Sequence, residues 1–138
     1  HWCKAAIWRD TTRVPFIVVS PGIAKAGLRN HQPISHVDIY PSLCDFAGIP
    51  KPTHLAGRSI LPLLKDQSAT RDVAFLSYGP ENTAAQSERY RYLRYEDGSE
   101  ELYDHKKDPH EWTNLIGNEK YQKLTKKMRA QVLAFQKK

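Results

Sequence analysis

The sequence predicts an α/β chain, more specifically an α+β fragment: the last strand and helix of a parallel sheet, followed by a small antiparallel sheet packed by a C-terminal helix. Three observations predict it. Val14-Pro15-Phe16-Ile17-Val18-Val19 is an almost continuous apolar run closed by Ser20-Pro21-Gly22, the pattern of a strand buried on both faces. Asp97-Gly98 separates two extended runs and is a strong hairpin signal. Tyr121, Leu124, Met128, Val132 and Phe135 recur at the spacing of one helical face.

A parallel strand needs crossover partners, and Val14 to Val19 is the single run of this type, so the rest of that sheet is expected from outside these residues. The helix that follows is predicted to start after Asp38 as N-cap, to tolerate Pro41 in its first turn and to stop at Gly48, a natural left-handed residue. Ile39, Leu43, Phe46 and Ala47 are expected on its buried side. Pro50 and Pro52 then mark a linker, with Ile60 to Lys65 forming a helical turn at most. Three extended segments are expected next, at Val73–Tyr78, Arg89–Tyr95 and Glu100–Tyr103, and the terminal helix runs from about Glu119 to Phe135. The organisation is thus residues 1–70 as the end of an α/β domain and 71–138 as an antiparallel subdomain with its helix.

The formal charge of +6 is localised. From Asn118 onward seven basic residues face the single acid Glu119, and everything before is neutral, so the basicity belongs to one helix. It reads as a solvated helix face, with nucleic acid not expected as a partner. A non-enzymatic polyanion-binding module built on Lys120, Lys123, Lys126 and Lys127 is the alternative from another class. No apolar run approaches the roughly 20 residues a membrane span needs, so no membrane partner is expected. The chain starts at His1 within what reads as an ordered segment, which suggests a processed or truncated product. Cys3 and Cys44 could be paired or free; neither has the spacing or histidine partners of a zinc site.

Arg89-Tyr90-Arg91-Tyr92-Leu93-Arg94-Tyr95 resembles an RNA-binding strand in composition, but strand alternation puts its arginines and tyrosines on opposite faces. The tyrosines are expected toward the terminal helix and the arginines toward solvent, with a bulge possible where Leu93 and Arg94 break the alternation. The six histidines are scattered, and no His-Glu-x-x-His, Gly-x-Ser-x-Gly or phosphate-cradling glycine loop is present. Glu101 to Leu115 is the densest polar stretch: its Asp104, Asp108 and Asn114 can cap turns, Pro109 keeps Asp108 out of the helical region, and His105 and His110 flank the turn without forming a convincing metal cluster.

This stretch, with Glu-Leu-Tyr-Asp, a spacer, Asp-Pro, Glu and Asn-Leu, resembles a structural turn near the C-terminus of type I sulfatases, members of the alkaline-phosphatase-like hydrolases. The resemblance extends in order along the chain. Trp2-Cys3-Lys4 before Arg13-Val14-Pro15 is similar to the family's Trp-x-Lys ahead of a Val-Pro strand, Val37-Asp38-Ile39-Tyr40-Pro41-Ser42-Leu43 to its Val-Asp-Ile-x-Pro-Thr/Ser-Leu helix, and Gly57-Arg58-Ser59 to its Gly-x-Ser segment. The iduronate-2-sulfatase-like branch looks nearest. The resemblance implies that Lys4 is the sulfate-contacting lysine, that the full-length enzyme hydrolyses sulfate esters, of sulfated sugars in particular, and that it uses formylglycine and a calcium ion. It also implies an extracytoplasmic location: periplasmic, secreted or lysosomal. Its Cys-x-Pro-x-Arg nucleophile motif and acidic metal ligands are absent here, so the isolated chain is expected to be inert, to hold no cofactor and to need the remainder of a sulfatase chain; a sheet reduced to its last strand exposes an apolar edge, so the fragment is also expected to self-associate or be unstable. A phosphodiesterase or phosphonate hydrolase of the same superfamily is the alternative reaction.

Overall fold

The structure, a computed structural model, describes residues 5–137. They form two compact units, one of residues 16–72 and one that joins residues 5–15 to 73–137.

The second unit is built on a four-stranded antiparallel meander, β1 (Ala74–Tyr78), β2 (Asn82–Gln86), β3 (Tyr90–Arg94) and β4 (Glu100–Asp104), in the order β1-β2-β3-β4. The Asp97-Gly98 turn joins β3 to β4 as expected: Gly98 sits at φ 82°, and the Tyr95 amide bonds the Ser99 carbonyl at 3.0 Å. Strand β2 was not expected, because Asn-Thr-Ala-Ala-Gln carries little strand propensity. Its small residues suit its place, since Thr83, Ala84 and Ala85 are almost fully buried and both faces of the sheet are covered. Gly79, at φ 69° in the turn before β2, was the local signal available.

Helix α4 (Gln122–Gln136) follows a 3-10 turn over Glu119–Tyr121, whose start is capped by Asn118 Oδ1 accepting from the Lys120 amide at 3.0 Å. Its Met128 and Val132 join Val73, Ala85, Tyr92 and Leu102 in one core, with Tyr90, Tyr121 and Leu124 packed around it. Phe135 stacks on Phe75 at 4.5 Å between ring centres. The tyrosines of β3 thus face the helix as alternation requires.

The opposite face of the sheet departs from expectation. It is covered by the N-terminal segment, and Ile7, Ala84, Leu93 and Tyr103 form a second core with Trp8, Leu76 and Tyr95 against it. Arg91 is 4% exposed where a solvated arginine was expected. The pairing of β3 runs without a bulge from Tyr90 to Arg94, so Leu93 breaks the polar pattern because its face is buried.

The first unit is tied largely by polar groups. A 3-10 turn (His36–Asp38) leads into α2 (Ile39–Ala47), which ends at Gly48 in the left-handed region at φ 66°, and a short α3 (Leu61–Lys65) follows. Asp38 does not cap α2 with its side chain; its Oδ2 accepts from the Ser35 amide at 2.8 Å, one turn earlier. The buried side of α2 is Pro41, Ser42 and Cys44, while Ile39, Leu43 and Ala47 are exposed, contrary to the expected face. The reason is the loop that packs here: the Ile60 amide donates to Ser42 Oγ at 2.9 Å, and the Arg58 amide to Asp38 Oδ1 at 2.7 Å. Gly57 permits this approach, since a Cβ there would stand 1.9 Å from the Val37 carbonyl oxygen.

Val14 to Val19 takes no regular secondary structure, and Ile17 and Val19 are each 86% exposed. A strand exists only through its neighbours. Among the described residues the one sheet is the antiparallel one, and it does not include this segment.

Candidate functional site

Lys4, the residue the sequence singles out for chemistry, lies outside the described residues, as do His1 and Cys3. The segment that follows it is held with unusual density for an irregular stretch. Ile7 is 3% exposed, and its carbonyl accepts two bonds from Arg91, one from Nε at 3.1 Å and one from Nη2. Trp8 Nε1 donates to Tyr95 Oη at 2.7 Å and to Glu101 Oε2 at 3.0 Å. Arg9, opening the one-turn helix α1 (Arg9–Thr12), donates its amide to Glu111 Oε2 at 2.8 Å and its Nη1 to the Pro109 carbonyl at 2.9 Å. Thr12 Oγ1 accepts from Arg91 Nη2 at 3.0 Å.

The partners of this segment come from the turn after β4, the stretch richest in polar residues. Asp104 is buried and forms a two-point pair with Arg89, at 2.7 and 2.6 Å. Asp108 Oδ2 accepts the Thr113 amide at 2.7 Å, and Asn114 Oδ1 accepts the Leu102 and Ile116 amides, each at 3.0 Å. Glu111 is the exception to simple turn chemistry. It sits at φ 59°, a left-handed conformation that a residue with a Cβ adopts at a cost. Its carboxylate is buried, accepts from His105 Nε2 at 2.7 Å and lies 3.7 Å from Arg91 Nε. Gln86 completes the group by accepting from Arg91 Nη1 at 3.1 Å. His110 instead stacks on Trp112, with ring centres 5.0 Å apart.

Sequence reasoning identified the acids and histidines of the turn but not the burial of Arg91 or the reach of Glu111 to Arg9. The available signal was Leu93, an apolar residue on the face assigned to solvent.

Bonding to Arg129 holds the Glu100 carboxyl below its ordinary range against the opposing effect of burial, and bonding to Arg89 does the same for Asp104. Such carboxylates stabilise the fold fully above their unfolded pKa, and the contribution is lost as pH falls through the lower folded value. The sheet unit is therefore expected to lose stability below about pH 4, and Glu100→Gln should flatten that acid slope. Urea titrations between pH 6 and pH 3 would check both statements. Burial pushes the Arg91 guanidinium the other way, below its ordinary value, with Glu111 opposing.

The described residues do not fit the calcium ion or the formylglycine that the resemblance implies. Among the described residues no group of three or more histidine, cysteine or acidic side chains could hold a metal ion. Cys44 is a buried free thiol followed by Asp45-Phe46-Ala47, without the proline and arginine of a nucleophile motif. No catalytic step is derived through either group. The open hollow beside Trp8 is walled by Glu96, Asp97 and Glu101, a charge that disfavours an anionic ligand.

The family model for the C-terminal region of N-sulphoglucosamine sulphohydrolase matches residues 1–138. A Delta 4,5-hexuronate-2-O-sulfatase of Bacteroides thetaiotaomicron is 34% identical over 141 residues, covering 91% of this chain and 28% of its own length. Among solved structures, one described as bound to its substrate D-glucosamine-2-N,6-O-disulfate superposes with a TM-score of 0.59 at 27% identity, covering 72% of this chain and 23% of that one. The phosphonate monoester hydrolase of Agrobacterium radiobacter superposes at 0.54, also with 27% identity, over 70% of this chain and 23% of its own. The chain thus spans about a quarter of the length of the relatives it matches. Several relatives are sulfatases by name. By its full-length match to the family model, the chain belongs to the C-terminal family of N-sulphoglucosamine sulphohydrolase, within the alkaline-phosphatase-like sulfatases.

Proposed function

We propose that the whole protein hydrolyses sulfate esters of sugars, and that this chain contributes Lys4 as a sulfate contact to a site completed by other residues. The observation that carries the reading is the family match along all 138 residues; the resemblance of the Trp-x-Lys segment, the Asp38 helix and the Glu-Leu-Tyr-Asp turn to the sulfatase pattern supports it. The chemistry is consistent: breaking the S–O ester bond builds negative charge on oxygen, and an ammonium close to it stabilises that charge more in the transition state than in the ground state. Calcium and formylglycine belong to this proposal as groups held elsewhere in the protein. So does the division into residues 1–70, ending the catalytic domain, and 71–138, forming the C-terminal subdomain, as well as an extracytoplasmic location. No helix among the described residues is long and apolar enough to cross a membrane.

The substrate class is suggested by the hexuronate sulfatase and by the glucosamine disulfate complex. Sulfate release from a panel of 2-O-, 6-O- and N-sulfated disaccharides tests it on the full-length protein. Release from at least one is expected; a panel left intact would refute the sugar assignment.

The isolated chain is expected to self-associate. Val37, Leu43 and Ile49 are each more than half exposed, as are Ile17 and Val19 of the same unit, and exposed apolar side chains in such number favour association. Light scattering across a hundredfold dilution should show mass falling with concentration. A constant monomer mass would contradict the expectation.

A further inference from the structure

The buried carboxylate of Glu111 faces two groups at once, one within its own turn and one 102 residues away in sequence. Its Oε1 meets His105 Nε2 at 2.7 Å and its Oε2 meets the Arg9 amide at 2.8 Å. Arg91, ion-paired with it at 3.7 Å, grips the Ile7 carbonyl and Thr12 Oγ1. Residues 7, 9 and 12 are therefore fixed from one side by two side chains that are each 5% exposed. A turn alone would not require a left-handed glutamate at φ 59° when glycine or asparagine takes that conformation at lower cost. The strain is tolerated because the carboxylate is held at the other end.

We propose that Glu111 and Arg91 are positioning residues for the segment that carries Lys4: they clamp Ile7, Arg9 and Thr12, which follow it in the chain, to the far face of the antiparallel sheet. The inference rests on the reading of Lys4 as a sulfate contact. A lysine three residues upstream of a buried anchor at Ile7 has a short tether, and misplacement of a reacting contact by about 1 Å can lower turnover on the order of a hundredfold. The C-terminal sheet then serves catalysis by bracing a neighbouring segment.

The test uses the full-length enzyme with two substitutions. Glu111→Gln keeps an acceptor for the Arg9 amide but loses the charge; Glu111→Gly removes the carboxylate while easing the left-handed backbone, which separates the clamp from the turn. Both are expected to lower kcat about 10- to 100-fold per folded molecule, with hydrogen exchange at the Arg9 amide accelerated in Glu111→Gly. Adding Lys4→Ala to either should lower kcat by less than a further tenfold, because coupled residues are not additive. Full turnover in the Glu111 variants, unchanged exchange at Arg9 in Glu111→Gly, or losses that multiply with that of Lys4→Ala would each overturn the proposal. Undiminished turnover in Lys4→Ala alone would instead remove the reading beneath it, so the two failures are told apart.

Discussion

Lys4→Ala is expected to lower kcat of the full-length protein about 10²- to 10³-fold, the magnitude typical for deleting one donor to a developing oxyanion. KM should change far less, because on the proposed reading the lysine would interact most strongly with charge that appears during S–O cleavage. Lys4→Arg keeps the charge but replaces a compact ammonium by a planar fork, so partial recovery at most is expected. Steady-state kinetics on one soluble aryl sulfate separates the two parameters. A Lys4→Ala enzyme whose KM rises while kcat is retained would make the residue a ground-state binder, and one unchanged in both would remove it from the site.

Asp38→Ala should have the largest effect on stability, about 3–5 kcal/mol, the range for breaking a buried charge pair from one side. Asp38 is 5% exposed and accepts three donors: the Ser35 amide at 2.8 Å, the Arg58 amide at 2.7 Å and Arg71 Nη1 at 2.5 Å. Arg71 itself also bonds the Arg58 and Ser59 carbonyls. Its removal therefore strands a guanidinium and two amides, and releases the loop that fixes the buried side of α2. Asp38→Asn retains an acceptor without the charge and should lose less. Hydrogen exchange at Ser35 and Arg58 in the full-length protein locates the damage; protection retained at both in the alanine variant would show that the hub is dispensable.

Much of the fold was legible because several signals are local. The Asp97-Gly98 turn, the left-handed stop at Gly48 and the spacing of Met128 and Val132 each follow from the conformational preference of a few adjacent residues. What escaped depended on distant partners. Strand β2 is specified by what covers Ala84 and Ala85, which no five-residue window reveals. Arg91 was assigned to solvent because alternation gives the face of a residue but not whether that face is covered; Ile7, 84 residues away, covers it. Ile39 and Leu43 look like a core face in sequence and are exposed here, just as Val14 to Val19 reads as a buried strand yet pairs with nothing among the described residues. Both regions carry apolar patterns that their own unit does not satisfy. The polar turn was readable as structure, while its link to the segment behind Lys4 required the Glu111 and Arg9 geometry.

The most direct test of sulfate-ester hydrolysis is the ratio of kcat/KM for a matched pair of substrates, an aryl sulfate and the corresponding aryl phosphonate monoester, measured on the full-length protein under identical conditions. The account predicts that the sulfate is preferred, by about tenfold or more if the site discriminates by at least 1.4 kcal/mol in the transition state. Preference for the phosphonate, with sulfate turnover at background, would contradict it.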